Sequence, residues 1–104
     1  RRTSGPVIDA AVRAAMARAR EVGARSIAVP ALGTGTGGYP LEEAARITVA
    51  AMRDELGRSP TIERAVLALR GAAVYAAFGV ALAAPSVATR EATATTAEAV
   101  GRAR

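Results

Sequence analysis

Ile8, Val12, Ala15, Met16 and Ala19 recur at helical spacing, while Asp9, Arg13, Arg20 and Glu21 fall away from that face. The pattern predicts a first helix that starts near Ser4 to Pro6 and ends at Gly23. Ser4 or Gly5 suits its cap and Pro6 its first turn. The run "SIAVPAL", Ser26 to Leu32, is continuously apolar and reads as a parallel strand covered on both faces. Pro40 and Leu41 open a second helix, with Leu41, Ala45, Thr48, Val49, Met52 and Leu56 inward and Gly57 at its close. The run "AVLAL", Ala65 to Leu69, reads as a second strand. A third helix is predicted from Ala72 to Ala83, with Val74, Tyr75, Phe78 and Leu82 inward and Pro85 as its stop. From Ser86 onward there is little to bury. Residues 85–104 are expected to be a disordered tail, with a weak helix from Thr96 to Arg102.

The order helix, strand, helix, strand, helix makes one α/β unit whose two strands are joined by a right-handed parallel crossover. Two parallel strands are too few for an independently stable sheet; each exposes an unpaired edge, and the apolar faces are expected to be only half covered. The pattern therefore reads as part of a larger α/β domain, or as a chain that finds its missing strands in a partner.

Composition narrows the chemistry. The 104 residues contain no cysteine and no histidine, which excludes disulfides, thiolate chemistry and the commonest general base and metal ligand. All 14 basic residues are arginine, against 9 acids, for a net charge of +5. The arginines are scattered along helices and both tails, with no aromatic residues interleaved for base stacking. This argues for a solvated arginine surface and against a nucleic-acid partner. "RRTSGPVIDAAV" has no apolar signal region, and the longest apolar run, Ala72 to Pro85, is too short to span a bilayer. A cytoplasmic location without membrane contact is expected.

The candidate chemistry lies in "GTGTGGYPLEEAA", Gly33 to Ala45. Ordering so many glycines costs backbone entropy, and the usual reason is a ligand that approaches the backbone closely. A strand, a glycine loop and a helix N-terminus together offer converging N–H groups to a phosphate or pyrophosphate. Thr34 and Thr36 add hydroxyl donors, whereas Pro40 removes one donor and Glu42 and Glu43 oppose an anion. A Walker A loop is excluded, because Tyr39 and Pro40 stand where Lys and Ser or Thr are needed. Gly33-x-Gly35-x-x-Gly38 also matches the G-x-G-x-x-G dinucleotide fingerprint. In that fingerprint the third glycine lies in the helix, and an acid ends the second strand. Here Pro40 starts the helix after Gly38, and Arg70 stands at the strand end. An NADP-binding Rossmann fragment, with Arg70 on a 2′-phosphate, is the alternative. A structural or interaction fragment with an empty loop is the third reading.

"ARSIAVPALGTGTGGYPLEEAARI" closely resembles the second phosphate loop of macrodomains, the ADP-ribose-binding modules. "RRTSGPVIDAAVRAAMARAREVG" resembles the helix before that strand, and "IERAVLALRGAAVYAAFGVAL" the last strand and helix, so the resemblance runs over about residues 3 to 83. It implies a three-layer α/β/α fold, of which residues 1–84 would be the C-terminal portion, an incomplete α-β-α-β-α part. It implies main-chain contacts to the diphosphate and distal ribose from Gly33, Thr34, Gly35, Thr36, Gly37 and Gly38, with Gly35 and Gly38 the best candidates for positive φ. Many family members carry an aromatic residue at the position of Gly37, and an adenine-stacking aromatic at that of Arg70. A guanidinium can stack flat on a purine, so Arg70 is the candidate for the adenine side. Tyr39 is expected to pack under the loop. The implied ligand is ADP-ribose, free or on a modified macromolecule, with no cofactor. Hydrolysis of ADP-ribosyl esters or of O-acetyl-ADP-ribose would need residues from the family's other half. Asp9, Glu42, Glu43, Asp54, Glu55 and Glu63 read as surface or turn carboxylates.

Overall fold

A computed structural model describes residues 4–33 and 39–84. Three helices and two strands follow the predicted order: α1 (Gly5–Glu21), β1 (Ser26–Pro30), α2 (Leu41–Leu56), β2 (Arg64–Ala68) and α3 (Ala72–Ala83). Ser4 caps α1: its backbone is extended, and its Oγ accepts a hydrogen bond from Val7 N at 3.3 Å. Gly23, at φ +73°, ends the helix in the left-handed conformation that a side chain would resist. Ile8, Val12, Met16 and Ala19 form its buried face, as their spacing predicts.

The strands pair in parallel, with Ile27 opposite Ala65 and Val29 opposite Leu67. These four residues point to one face, where Val29, Ala65 and Leu67 are buried. On the other face Ser26, Ala28, Pro30 and Ala68 are exposed. The apolar run of β1 suggests cover on both faces, but among the described residues the helices cover one face only, the half-covered sheet expected of two strands. Apolar side chains along a strand do not by themselves say how many layers are present. β1 also stops at Pro30, two residues before the apolar run ends, because the chain turns at Leu32 and Gly33.

α2 packs between α1 and α3. It buries Ala44, Ala45, Thr48, Val49, Ala51 and Met52. Two charged residues join them. Arg53 is only 6% exposed and donates to the Leu82 and Ala84 carbonyls, at 2.6 and 3.1 Å, so it satisfies acceptors at the end of α3. Glu55 is only 4% exposed and pairs with Arg13 and Arg20 of α1. The reading of the arginines as a solvated surface, and of Glu55 as a surface carboxylate, fails at these positions. Long polar side chains on α2 bridge to its neighbours where apolar ones run out.

In α3, Phe78 is fully buried, with Ala77 and Leu82 beside it and Val74 half-buried. Tyr75 is 42% exposed, which corrects its inward assignment. The helix is apolar all round, so its pattern does not select a face; the buried line runs along Val74, Phe78 and Leu82, and Tyr75 lies on its flank. Residues 85–104, expected as a tail, lie outside the described residues.

Candidate functional site

Parallel pairing sets the site. Pro30 is the register partner of Ala68, so both strands end level and send their next residues to the same end of the sheet. Ligands of open α/β sheets bind there. After β1 come Ala31, Leu32 and Gly33, the last at φ +79°. After β2 come buried Leu69, exposed Arg70 and Gly71, the last at φ +95°. Both exits therefore turn on a glycine in a conformation that disfavours any side chain.

Each exit leads to a helix N-terminus without a side-chain cap. The first bonds back are Ala44 N to Pro40 O at 2.9 Å and Tyr75 N to Gly71 O at 3.0 Å. The N–H groups of residues 41–43 and 72–74 precede them and have no partner within their own helix. α2 starts at Leu41 with Pro40 as its cap, so the helix begins beyond Gly38. This differs from the dinucleotide fingerprint, whose third glycine lies inside the helix. Glu43 is paired with Arg46, whose guanidinium it holds above its ordinary pKa through a hydrogen bond; this offsets one acid of the first turn. Glu42 is exposed.

Of the expected site residues, Gly33 and Arg70 are described, and they occupy neighbouring exits. Thr34, Gly35, Thr36, Gly37 and Gly38 lie outside the described residues, as do the positive-φ expectations for Gly35 and Gly38. Gly33 itself takes a positive φ. Gly71 was missed by sequence reasoning, although its place between a strand and an apolar helix marks a tight turn. Tyr39 is half-buried against the core and reaches α1 at Gly5.

Residues 2–48 match the Macro domain family, whose members bind ADP-ribose. This stretch holds α1, β1, the glycine segment and the first half of α2. Over these residues the chain is similar to the macrodomain family. The match is partial and lies toward the N-terminus of this chain, ending inside α2. It does not bear out residues 1–84 as the C-terminal half of a macrodomain, and β2 and α3 lie beyond it. An uncharacterized protein of Mycobacterium bovis and one of Mycobacterium tuberculosis are each 45% identical over 80 residues, or 77% of this chain and 22% of their own length. The chain spans about a fifth of the length of these curated relatives.

The macrodomain segment also carries half of an ionic cluster. Arg13 Nε meets Asp9 at 3.0 Å, and its Nη1 meets Asp54 at 2.5 Å and Glu55 at 3.2 Å. Arg20 Nη1 reaches Glu55 at 3.0 Å and Ser59 Oγ at 2.9 Å. Hydrogen bonding from Arg13 holds the Asp54 carboxyl below its ordinary value, and Arg58 and Arg13 add attraction. Asp54 and Asp9 in turn hold the Arg13 guanidinium above its own. Gly5 at the start of α1 meets Tyr39 and Ile47, and Arg20 near its end meets Glu55 near the end of α2. The two helices therefore run in the same direction, and the Arg20–Glu55 pair lies at the opposite end from the loop. Asp9, Glu21, Glu43, Asp54, Glu55 and Glu63 are each paired with an arginine.

Among the described residues, no three His, Cys, Asp or Glu side chains come together to hold a metal. No described helix is long and apolar enough to cross a membrane.

Proposed function

We propose that this chain binds ADP-ribose, free or as an ADP-ribosyl group on a macromolecule. The observation that carries the reading is the position of the glycine segment. It lies within the stretch that matches the Macro domain family, between a parallel strand end and the uncapped start of α2. Main-chain N–H groups of Gly33, Thr34, Gly35, Thr36, Gly37 and Gly38 hold the diphosphate and distal ribose. Arg70, at the neighbouring exit, lies on the adenine side with its guanidinium flat on the purine. Hydrolysis of an ADP-ribosyl ester would need residues beyond these, since Asp9, Asp54 and Glu63 are each paired with an arginine. Among the described residues the sheet has two strands and one face that the helices leave uncovered, which supports association with another chain.

Calorimetric titration with ADP-ribose tests the proposal. Saturable binding that Gly35→Val removes is the expected result, since a β-branched side chain would fill the phosphate space and resist positive φ. Tighter binding of NADP than of ADP-ribose would favour the dinucleotide reading instead.

A further inference from the structure

Gly5 is the first residue of α1, yet nothing in its backbone requires glycine. Positive φ among the described glycines occurs at Gly23, Gly33 and Gly71, not at Gly5. The reason for a glycine here is space. A Cβ built on Gly5 would stand 2.9 Å from Tyr39 Oη and 3.1 Å from Ile47 Cδ1. Tyr39 directly precedes Pro40, the cap of α2, and directly follows Gly38. Its ring is half-buried against the core, so it has little freedom to swing away.

We propose that Gly5 is a positioning residue for the anion-facing start of α2. By offering no side chain, it lets Tyr39 lie against α1. Tyr39 then fixes the direction in which α2 presents the N–H groups of Leu41, Glu42 and Glu43. This role rests on the ADP-ribose reading given above. A side chain at position 5 displaces the tyrosine tip. The tyrosine is stiff, so the displacement reaches the backbone at Tyr39 and Pro40. The Ile47 methyl is the end of a flexible side chain and can turn aside. The next ring atom of Tyr39, Cζ, lies 3.9 Å from the built Cβ, which is ordinary contact. The obstruction is thus mainly one oxygen atom.

That geometry gives a rescue experiment. Gly5→Ala, Tyr39→Phe and the double variant are compared with the parent chain by ADP-ribose titration and by amide NMR. Gly5→Ala is expected to keep its fold and to lose about tenfold in affinity, as when donors are misplaced by a fraction of an ångström. Its amide shifts at Leu41 to Ala44 move as well. Tyr39→Phe alone keeps the ring and is the reference for the double variant. The double variant regains the parent's affinity and its amide positions, because the oxygen that met the new methyl is gone. A Gly5→Ala chain that binds like the parent, or a double variant as weak as Gly5→Ala, overturns the role. If the parent chain itself does not bind ADP-ribose, the functional reading fails. The shifts at Leu41 to Ala44 then still decide whether Gly5 positions α2 through Tyr39.

Discussion

Pro30 and Ala68 face each other as the last register pair of the parallel sheet. This pairing brings Gly33 after β1 and the Arg70–Gly71 turn after β2 to one end of the sheet. In the proposed site the two exits act together, with main-chain donors from one and a guanidinium from the other.

Arg70 is the side chain of that site most open to testing. It is exposed at its strand end, so its removal should leave the fold intact. Arg70→Ala is expected to weaken ADP-ribose by about three- to tenfold, the scale of one lost cation–π or stacking contact. Arg70→Lys recovers little, because an ammonium has no planar face to stack. Affinity for ribose 5-phosphate, which lacks adenine, should be unchanged in both variants. Isothermal calorimetry with the two ligands checks this.

Gly71 and Gly79 should respond to alanine with opposite sign. Gly71 sits at φ +95° and ψ 145°, a region nearly closed to other residues. Gly71→Ala is expected to cost about 1–3 kcal/mol. Gly79 lies within α3, and a Cβ there meets nothing within 4 Å. Gly79→Ala should stabilise by about 0.5–1 kcal/mol through helix propensity. Urea denaturation of both variants measures the contrast.

Most of the fold was legible because each helix carries one signal at a time. The Ser4 cap, the Ile8–Val12–Met16 stripe and Gly23 all give the same α1. Other features depend on neighbours that a linear pattern does not contain. Glu55 looks like a surface acid on α2 and is buried only because Arg13 and Arg20 of α1 come to meet it. Tyr75 looks inward in a helix without any polar residue to mark its outer side. The open face of β1 is invisible in "SIAVP", since apolar residues do not record how many layers cover them. Of the site, the glycine segment was legible from composition. Gly5 was not, because its reason is a tyrosine on another element.

The α1–α2 ionic cluster should matter more than the peripheral pairs. Glu55→Ala leaves Arg13 and Arg20 without their shared acceptor. Both arginines are about one-third exposed, so the loss is expected near 1–2 kcal/mol rather than the larger figure for a dry pair. Breaking the exposed Arg18–Glu21 or Arg25–Glu63 pair should shift the melt far less than Glu55→Ala does. Thermal melts of Glu55→Ala, Glu21→Ala and Glu63→Ala decide the ranking.

Acid should weaken the same junction. The Asp54 carboxyl is held below its ordinary value of 3.8, so its pairing stabilises the fold above that pH. The contribution is lost as pH falls through the lowered value, since protonation then favours the unfolded chain. The melting temperature is expected to fall below about pH 4, and the fall should be shallower in Asp54→Asn. Parallel melts from neutral to acid pH in both chains check the sign.

Thr48 is fully buried, and its Oγ1 has no hydrogen-bond partner among the described residues. An unpaired buried hydroxyl costs more than an apolar group of the same shape. Thr48→Val should therefore raise stability by about 1 kcal/mol, a shift of roughly 4–8 °C for a domain of this size. Differential scanning calorimetry measures it.

The most direct measurement is an amide NMR titration of the chain with ADP-ribose. The account predicts saturable shifts in residues 33–38 and 41–43, together with Arg70 and residues 71–74 at the other exit. The Arg20–Glu55 end of the helices should stay still. Amides at both strand exits that do not move at saturating ADP-ribose, or shifts confined to the far end of α1 and α2, would contradict it.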